Sequence, residues 1–197
     1  LLGRITQPDK DAGARAGVVG DQLILLVQGI VGNAPWTVFS QGLTLKTGMS
    51  IGWSTFVISV FVLLIWIPLN EKPGFGTLSN IVLIATFIEV GTHVFPKQSS
   101  TLSGILFSLT GIALVGLGSA LYITCGLGPG PRDGMMTGLH KATGVRVGRV
   151  RLGIEIVVLG IGWLMGGTVG VGTLLFALLI GESIAISLGI VARLTTR

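Results

Sequence analysis

The sequence predicts an all-α polytopic membrane protein: six transmembrane helices forming two inverted three-helix repeats, each with a short Pro-led helix. Three observations predict this. Only 11% of the 197 residues are charged while 50% are hydrophobic, and the mean hydropathy is +0.85; a soluble domain carries about 25% charged residues. Apolar runs of the length that crosses about 30 Å of hydrocarbon recur along the chain. The first half also returns in the second at an offset of 96 residues, Val19-Gly20 matching Val115-Gly116.

The same composition narrows function. Cys125 is alone, which excludes a disulfide scaffold. The net charge of +5 comes from 13 basic and 8 acidic residues. Lys and Arg at cytoplasmic membrane edges account for this better than a nucleic-acid surface does. The lipid bilayer is therefore an expected partner, and nucleic acid is not.

Residues 1–16 are polar, carry Arg4, Lys10 and Arg15, and lack the apolar core of a signal peptide. They read as a cytoplasmic N-terminal arm. Spans follow near 17–34, 51–69, 74–95, 101–126, 149–166 and 169–192. The clearest is 51–69, with Trp53 and Trp66 near its ends, where amphipathic rings favour the interface. The first span is weakened by Asp21, Gln22 and Gln28, and the fifth by Arg151 and Glu155. Segments 35–48 and 131–144 are too short and polar to span comfortably. Each opens on Pro, favoured in the first helical turn, and closes on Thr-Gly, a common helix stop. Both read as short helices, either re-entrant or lying on the surface.

The repeat divides one membrane domain into residues 17–97 and 98–197. Gly32 and Pro35 match Gly128 and Pro131, Thr47-Gly48 matches Thr143-Gly144, and Gly76-Thr77-Leu78 matches Gly172-Thr173-Leu174. Each half holds a span, a short motif and two further spans. Three crossings is an odd number, so the second copy enters from the opposite side, as in many transporters. With both termini cytoplasmic, only Lys46 and Lys97 fall outside. If the two short segments also crossed, the charge split would be equally good, so six crossings rather than eight rests on segment length.

The run GLGPGPRDGMMTGLHKATG (126–144), the stretch WLMGGTVGVGTLLFALLIG (163–181) and the earlier APWTVFSQGLTLKTGMSIG (34–52) resemble the bacterial membrane proteins called YczE, within the wider YitT/YczE group. The resemblance covers residues 17–192. It implies a small multi-spanning protein of the bacterial plasma (inner) membrane and implies no particular activity.

Candidate site residues come from the residues themselves. Helices starting at Pro35 and Pro131 present free N–H groups and a positive dipole end. If both dip inward, they make a site for an anion or a carboxylate-bearing solute; otherwise they cover bundle ends. Trp36-Thr37 is replaced in the second copy by Arg132-Asp133. Arg132 can hold an anion with its planar fork, or pair locally with Asp133 as a cap. Charged residues within spans are costly and mark function. Of these, Glu182 is the first candidate for a coupling proton or cation contact, against hydrogen bonding to Ser183 or Ser187. Glu89 with His93, and Arg151 with Glu155, read as i,i+4 pairs. Asn80 reads as helix glue or as a polar lining. His140 reads as a cytoplasmic surface residue.

No catalytic arrangement is visible, and two His with one Cys cannot build a usual zinc site. No enzyme activity, cofactor or metal is expected. The functional expectation is a small-solute transporter or permease with its site between the inverted halves. Pro35, Trp36, Thr37 and Gln41 would line it from outside and Pro131, Arg132, Asp133 and Thr137 from inside, with Asn80 and Glu182 in the bundle interior. Its substrate would be a small molecule or ion. The alternative is a non-transporting membrane subunit or scaffold acting through a partner protein. Small-residue helix faces permit a homodimer but do not specify one.

Overall fold

Short Pro-led helices and long apolar ones alternate along the chain. In the computed structural model, residues 32–94, 100–124 and 128–195 are described. They form α1 (Pro35–Thr47), α2 (Ile51–Leu69), α3 (Phe75–Val94), α4 (Thr101–Thr124), α5 (Pro131–Thr143), α6 (Val147–Leu164) and α7 (Val171–Thr195), with no strand among them. The N-terminal arm, the first expected span as far as residue 31, Asp21 and Cys125 lie outside the described residues.

Local chemistry explains the boundaries. Pro35 and Pro131 open α1 and α5, where the missing N–H costs nothing. Gly48 and Gly144 close them in the left-handed conformation, at φ 73° and 70°. Ser50 caps α2 by accepting the Trp53 amide at 3.4 Å. Pro68 sits in the last turn of α2, which ends at Asn70 with φ 52°.

Among the described residues, four helices are long and apolar enough to cross a membrane: α2, α3, residues Thr101–Ala120 of α4 and residues Val171–Arg193 of α7. α6 forms where the fifth span is expected but carries Arg149, Arg151 and Glu155, and it is not among the four. The outward surface is apolar, with Phe61, Ile67, Phe75, Leu102, Ile156 and Leu178 each more than half exposed. Such a surface is a liability in water and a requirement in hydrocarbon. The chain is an integral membrane protein.

Small residues bring the helices together. α4 packs along α7, with Gly116 directly against Ser183, whose hydroxyl donates to the Ile112 carbonyl at 3.0 Å. α1 packs on α6, where a Cβ on Gly162 would lie 2.5 Å from the Phe39 nitrogen. α2 packs on both α3 and α5. Here the expectation of an interfacial ring at Trp66 is corrected. Trp53 is 63% exposed, but Trp66 is 1% exposed; its ring lies against Gly134 of α5 and its Nε1–H donates to the Pro131 carbonyl at 2.9 Å. Contact with α5 buries the ring and satisfies its one donor, so it does not need the interface.

Gly32 and Gly128 precede the two short helices with φ of 105° and 110°. Gly32 lies against Gly170 and Gly128 against Gly74. Gly74 and Gly170 in turn donate their amides to Thr77 and Thr173 Oγ1, each at 3.2 Å. A side chain at residue 128 is strained by that φ, and its Cβ would lie 3.1 Å from the Gly74 Cα. Gly128→Ala should therefore cost about 1–3 kcal/mol. Detergent-solubilised Gly128→Ala should melt earlier than the parent chain, and an unchanged transition would remove the argument.

Candidate functional site

The first turns of α1 and α5 end on one cavity of about 240 Å³. The first intrahelical bonds of these helices run from the Val38 amide to the Ala34 carbonyl and from the Gly134 amide to the Gly130 carbonyl, both 2.9 Å. The amides of Trp36, Thr37, Arg132 and Asp133 precede those bonds and have no intrahelical acceptor. Ala34, Trp36, Gly130, Pro131, Arg132 and Asp133 all line the cavity. Both helix N-termini therefore reach the same space.

The remaining wall is part charged and part apolar. α6 contributes Arg151 and Glu155, joined Nε to Oε1 at 3.0 Å. The expected ion pair is present, and it also faces the cavity. α2 contributes Ser59, α3 contributes Asn80 and Ile84, α4 contributes Val115 and Ser119, and α7 contributes Phe176, Ile180 and Ile184. The Arg132 guanidinium carbon lies 4.7 Å from the centre of the Trp36 ring, a cation–π contact.

Arg132 and Asp133 make no ion pair and no side-chain hydrogen bond among the described residues, although Thr137 bonds to the Asp133 backbone carbonyl. The local Arg132–Asp133 cap is thus not formed. Asp133 is exposed by surface area, and its carboxyl is set within the wall of the cavity. Loss of bulk solvent raises its carboxyl above the ordinary range, and Arg151 and then Arg132 oppose that rise. Loss of solvent also lowers Arg132 to about 10, with Asp133 and Glu155 working the other way. Arg132 remains a cation at neutral pH.

Of the ten expected site residues, Trp36, Asn80, Pro131, Arg132 and Asp133 meet at the cavity. The other five do not line it. Pro35 and Thr37 are buried in α1. Gln41 accepts the Thr168 amide at 3.0 Å and so anchors the loop after α6. Thr137 donates within α5 to the Asp133 and Gly134 carbonyls, each 3.0 Å away. Glu182 sits on an exposed part of α7, while its neighbour Ser183 bonds to α4. The Glu89 pairing is also corrected: its Oε2 accepts the Gly52 amide at 2.9 Å at the start of α2, and His93 Nδ1 meets the Glu89 carbonyl oxygen instead. A carboxylate satisfies free amides at a helix start and complements its positive end.

Ser59, Ser119, Arg151 and Glu155 are lining residues that sequence reasoning missed. For Ser59 and Glu155 a signal existed, because they are repeat equivalents of one another. Ser119 carried none.

Away from the cavity, Lys141 Nζ meets Glu71 Oε1 at 2.6 Å, with the lysine side chain 68% exposed. An exposed ion pair contributes about 0–1 kcal/mol. Lys141→Ala should lower thermal stability by no more than that; a larger loss on heating would overturn this.

Residues 23–188 match the model of a family of unknown function, DUF6198. The chain is 47% identical over 176 residues to an uncharacterized protein of Haemophilus influenzae, covering 89% of this chain and 80% of that protein. It is 35% identical over 159 residues to the uncharacterized membrane protein YczE of Bacillus subtilis, covering 80% of this chain and 74% of YczE. It is 28% identical over 177 residues to the uncharacterized protein YyaS of the same bacterium, covering 86% of both chains. No solved structure matches the chain.

Proposed function

Because this chain belongs to the DUF6198 family of unknown function, we propose that it is a small-solute permease of the bacterial plasma membrane, with its solute site between two inverted repeats. The observation that carries this reading is the composition of the cavity wall. Trp36 and Arg132, Ser59 and Glu155, Asn80 and Phe176, and Ile84 and Ile180 are pairs 96 residues apart, and both members of every pair line the same space. A cavity on an axis relating the two halves has this property; a chance surface cleft has no reason to.

The contacts between halves support the same relation. Gly32 meets Gly170 while Gly128 meets Gly74, and the two contacts exchange under the 96-residue offset. Trp66 against Gly134 exchanges with Gly162 against Val38. α1 packs on α6 as α5 packs on α2. A site enclosed where two copies meet becomes accessible from alternate sides when one copy rocks against the other.

The termini are assigned to the cytoplasm on the positive-inside distribution. Chemistry on the solute is not part of this reading. Two experiments test it. Single cysteines at Lys46 and Ala142, in a Cys125→Ser background, sit at the exposed ends of the two short helices. They should label from opposite sides of the bilayer, and labelling from one side would end the inverted arrangement. The full chain in liposomes should give saturable uptake of a labelled small solute. A stoichiometric second protein co-purifying with a chain that moves no solute would favour a scaffold instead.

A further inference from the structure

Among the described residues, four ionisable side chains line the cavity, and two of them are satisfied by each other. Arg151 and Glu155 are paired directly at 3.0 Å. Arg132 and Asp133 are not paired with each other or with any described residue, although both line the same wall. The Arg132 guanidinium carbon sits over the Trp36 ring. The N–H donors of Arg132 make no hydrogen bond among the described residues, and they suit a carboxylate bidentately. The Asp133 carboxyl is an acceptor without a donor. Asn80 adds an amide that also has no hydrogen-bond partner among the described residues, on a residue 9% exposed that faces the same space.

The charge balance then selects the ligand. Among the described residues, two guanidinium and two carboxyl groups line the cavity, equal in number. A bound anion would leave Asp133 without an opposite charge, and a bound cation would leave Arg132 without one. A molecule carrying both charges leaves neither unmatched. The volume sets the size: about 240 Å³ equals roughly eight waters at about 30 Å³ each, which is below the range of drug-sized sites. Ile84, Val115 and Phe176 on the wall suit a short aliphatic body.

We propose that the cavity binds a small zwitterion, with its carboxylate on Arg132, its ammonium on Asp133 and a short aliphatic portion against Ile84, Val115 and Phe176. This rests on the reading of the cavity as a solute site and names the class of solute.

The test uses the full chain in nanodiscs, with binding read by Trp fluorescence and thermal shift. The probes are L-alanine, L-leucine and glycine betaine as zwitterions, isobutyrate as the carboxylate alone and isobutylamine as the cation alone. At least one zwitterion should bind saturably, and both single-charge probes should bind at least tenfold more weakly. Asp133→Asn should bring isobutyrate level with the best zwitterion, and Arg132→Lys should weaken that zwitterion at least tenfold. Wild-type binding of isobutyrate or isobutylamine as tight as the zwitterions would overturn the inference while leaving the solute site standing. Binding of none of the five probes would overturn the inference; if the liposomes also take up no small solute, the permease reading falls with it. The wild-type comparison decides even where a variant fails to fold.

Discussion

Gly134→Val should be among the most damaging single substitutions in this protein, and Trp66→Gly should relieve part of the damage when the two are combined. The Trp66 ring occupies the space that a Cβ on Gly134 would need, is 1% exposed, and is tethered through Nε1 to the Pro131 carbonyl at 2.9 Å. A valine at 134 has no space and the ring cannot swing away without breaking its hydrogen bond. Overpacking costs about 1–3 kcal/mol and occasionally more, and this site belongs at the upper end. Trp66→Gly alone should cost about 3–5 kcal/mol through the cavity it opens. The double variant puts a small residue on the long helix and valine on the short one, the arrangement already present at Gly162 and Val38. Its loss should fall short of the sum of the single losses by about 2 kcal/mol. Thermal unfolding of the three variants in detergent measures this coupling. Additivity within about 0.5 kcal/mol would mean that the two sites do not meet.

Arg132→Ala should abolish solute binding while the chain still folds. Truncating the Arg132 side of the proposed guanidinium–carboxylate contact with the solute costs about 2–5 kcal/mol, which centres on about two orders of magnitude in affinity. The variant also uncovers the Trp36 ring and leaves the cavity with one guanidinium and two carboxyls. Asp133 keeps Arg151, the stronger of its two neighbouring cations, and Arg132 makes no ion pair or side-chain hydrogen bond among the described residues, so the fold survives. Saturable binding of L-alanine, L-leucine and glycine betaine in nanodiscs should fall at least a hundredfold, with the elution profile unchanged. Retained binding would remove Arg132 from the site.

The comparison of Glu182 with Glu155 shows why part of the site was not legible. Both are carboxylates within expected spans, and sequence alone favoured Glu182 because it lies centrally in an apolar run, whereas Glu155 follows Arg151 by one turn and reads as its ion-pair partner. The structure places Glu182 on an exposed part of α7 and Glu155 on the cavity. A helix repeats its faces every 3.6 residues, and a uniformly apolar helix carries no marker of which face meets a neighbour. Trp66 failed for the same reason: its position near a helix end was read correctly, but the partner that buries it lies 65 residues away at Pro131.

What the residues determine alone is everything set by composition and short-range chemistry. Low charge and long apolar runs require helices in hydrocarbon, where only internally bonded backbone is tolerated. Pro35, Gly48, Pro131 and Gly144 mark α1 and α5 closely because a missing N–H and a left-handed residue act within one turn. The joining of Trp36, Asn80, Arg132 and Asp133 with Arg151 and Glu155 was decided by packing between helices distant in the chain. There the fit of glycines such as Gly134 and Gly162 against their partners fixes which polar faces turn inward, and that fit exists only once both surfaces are present.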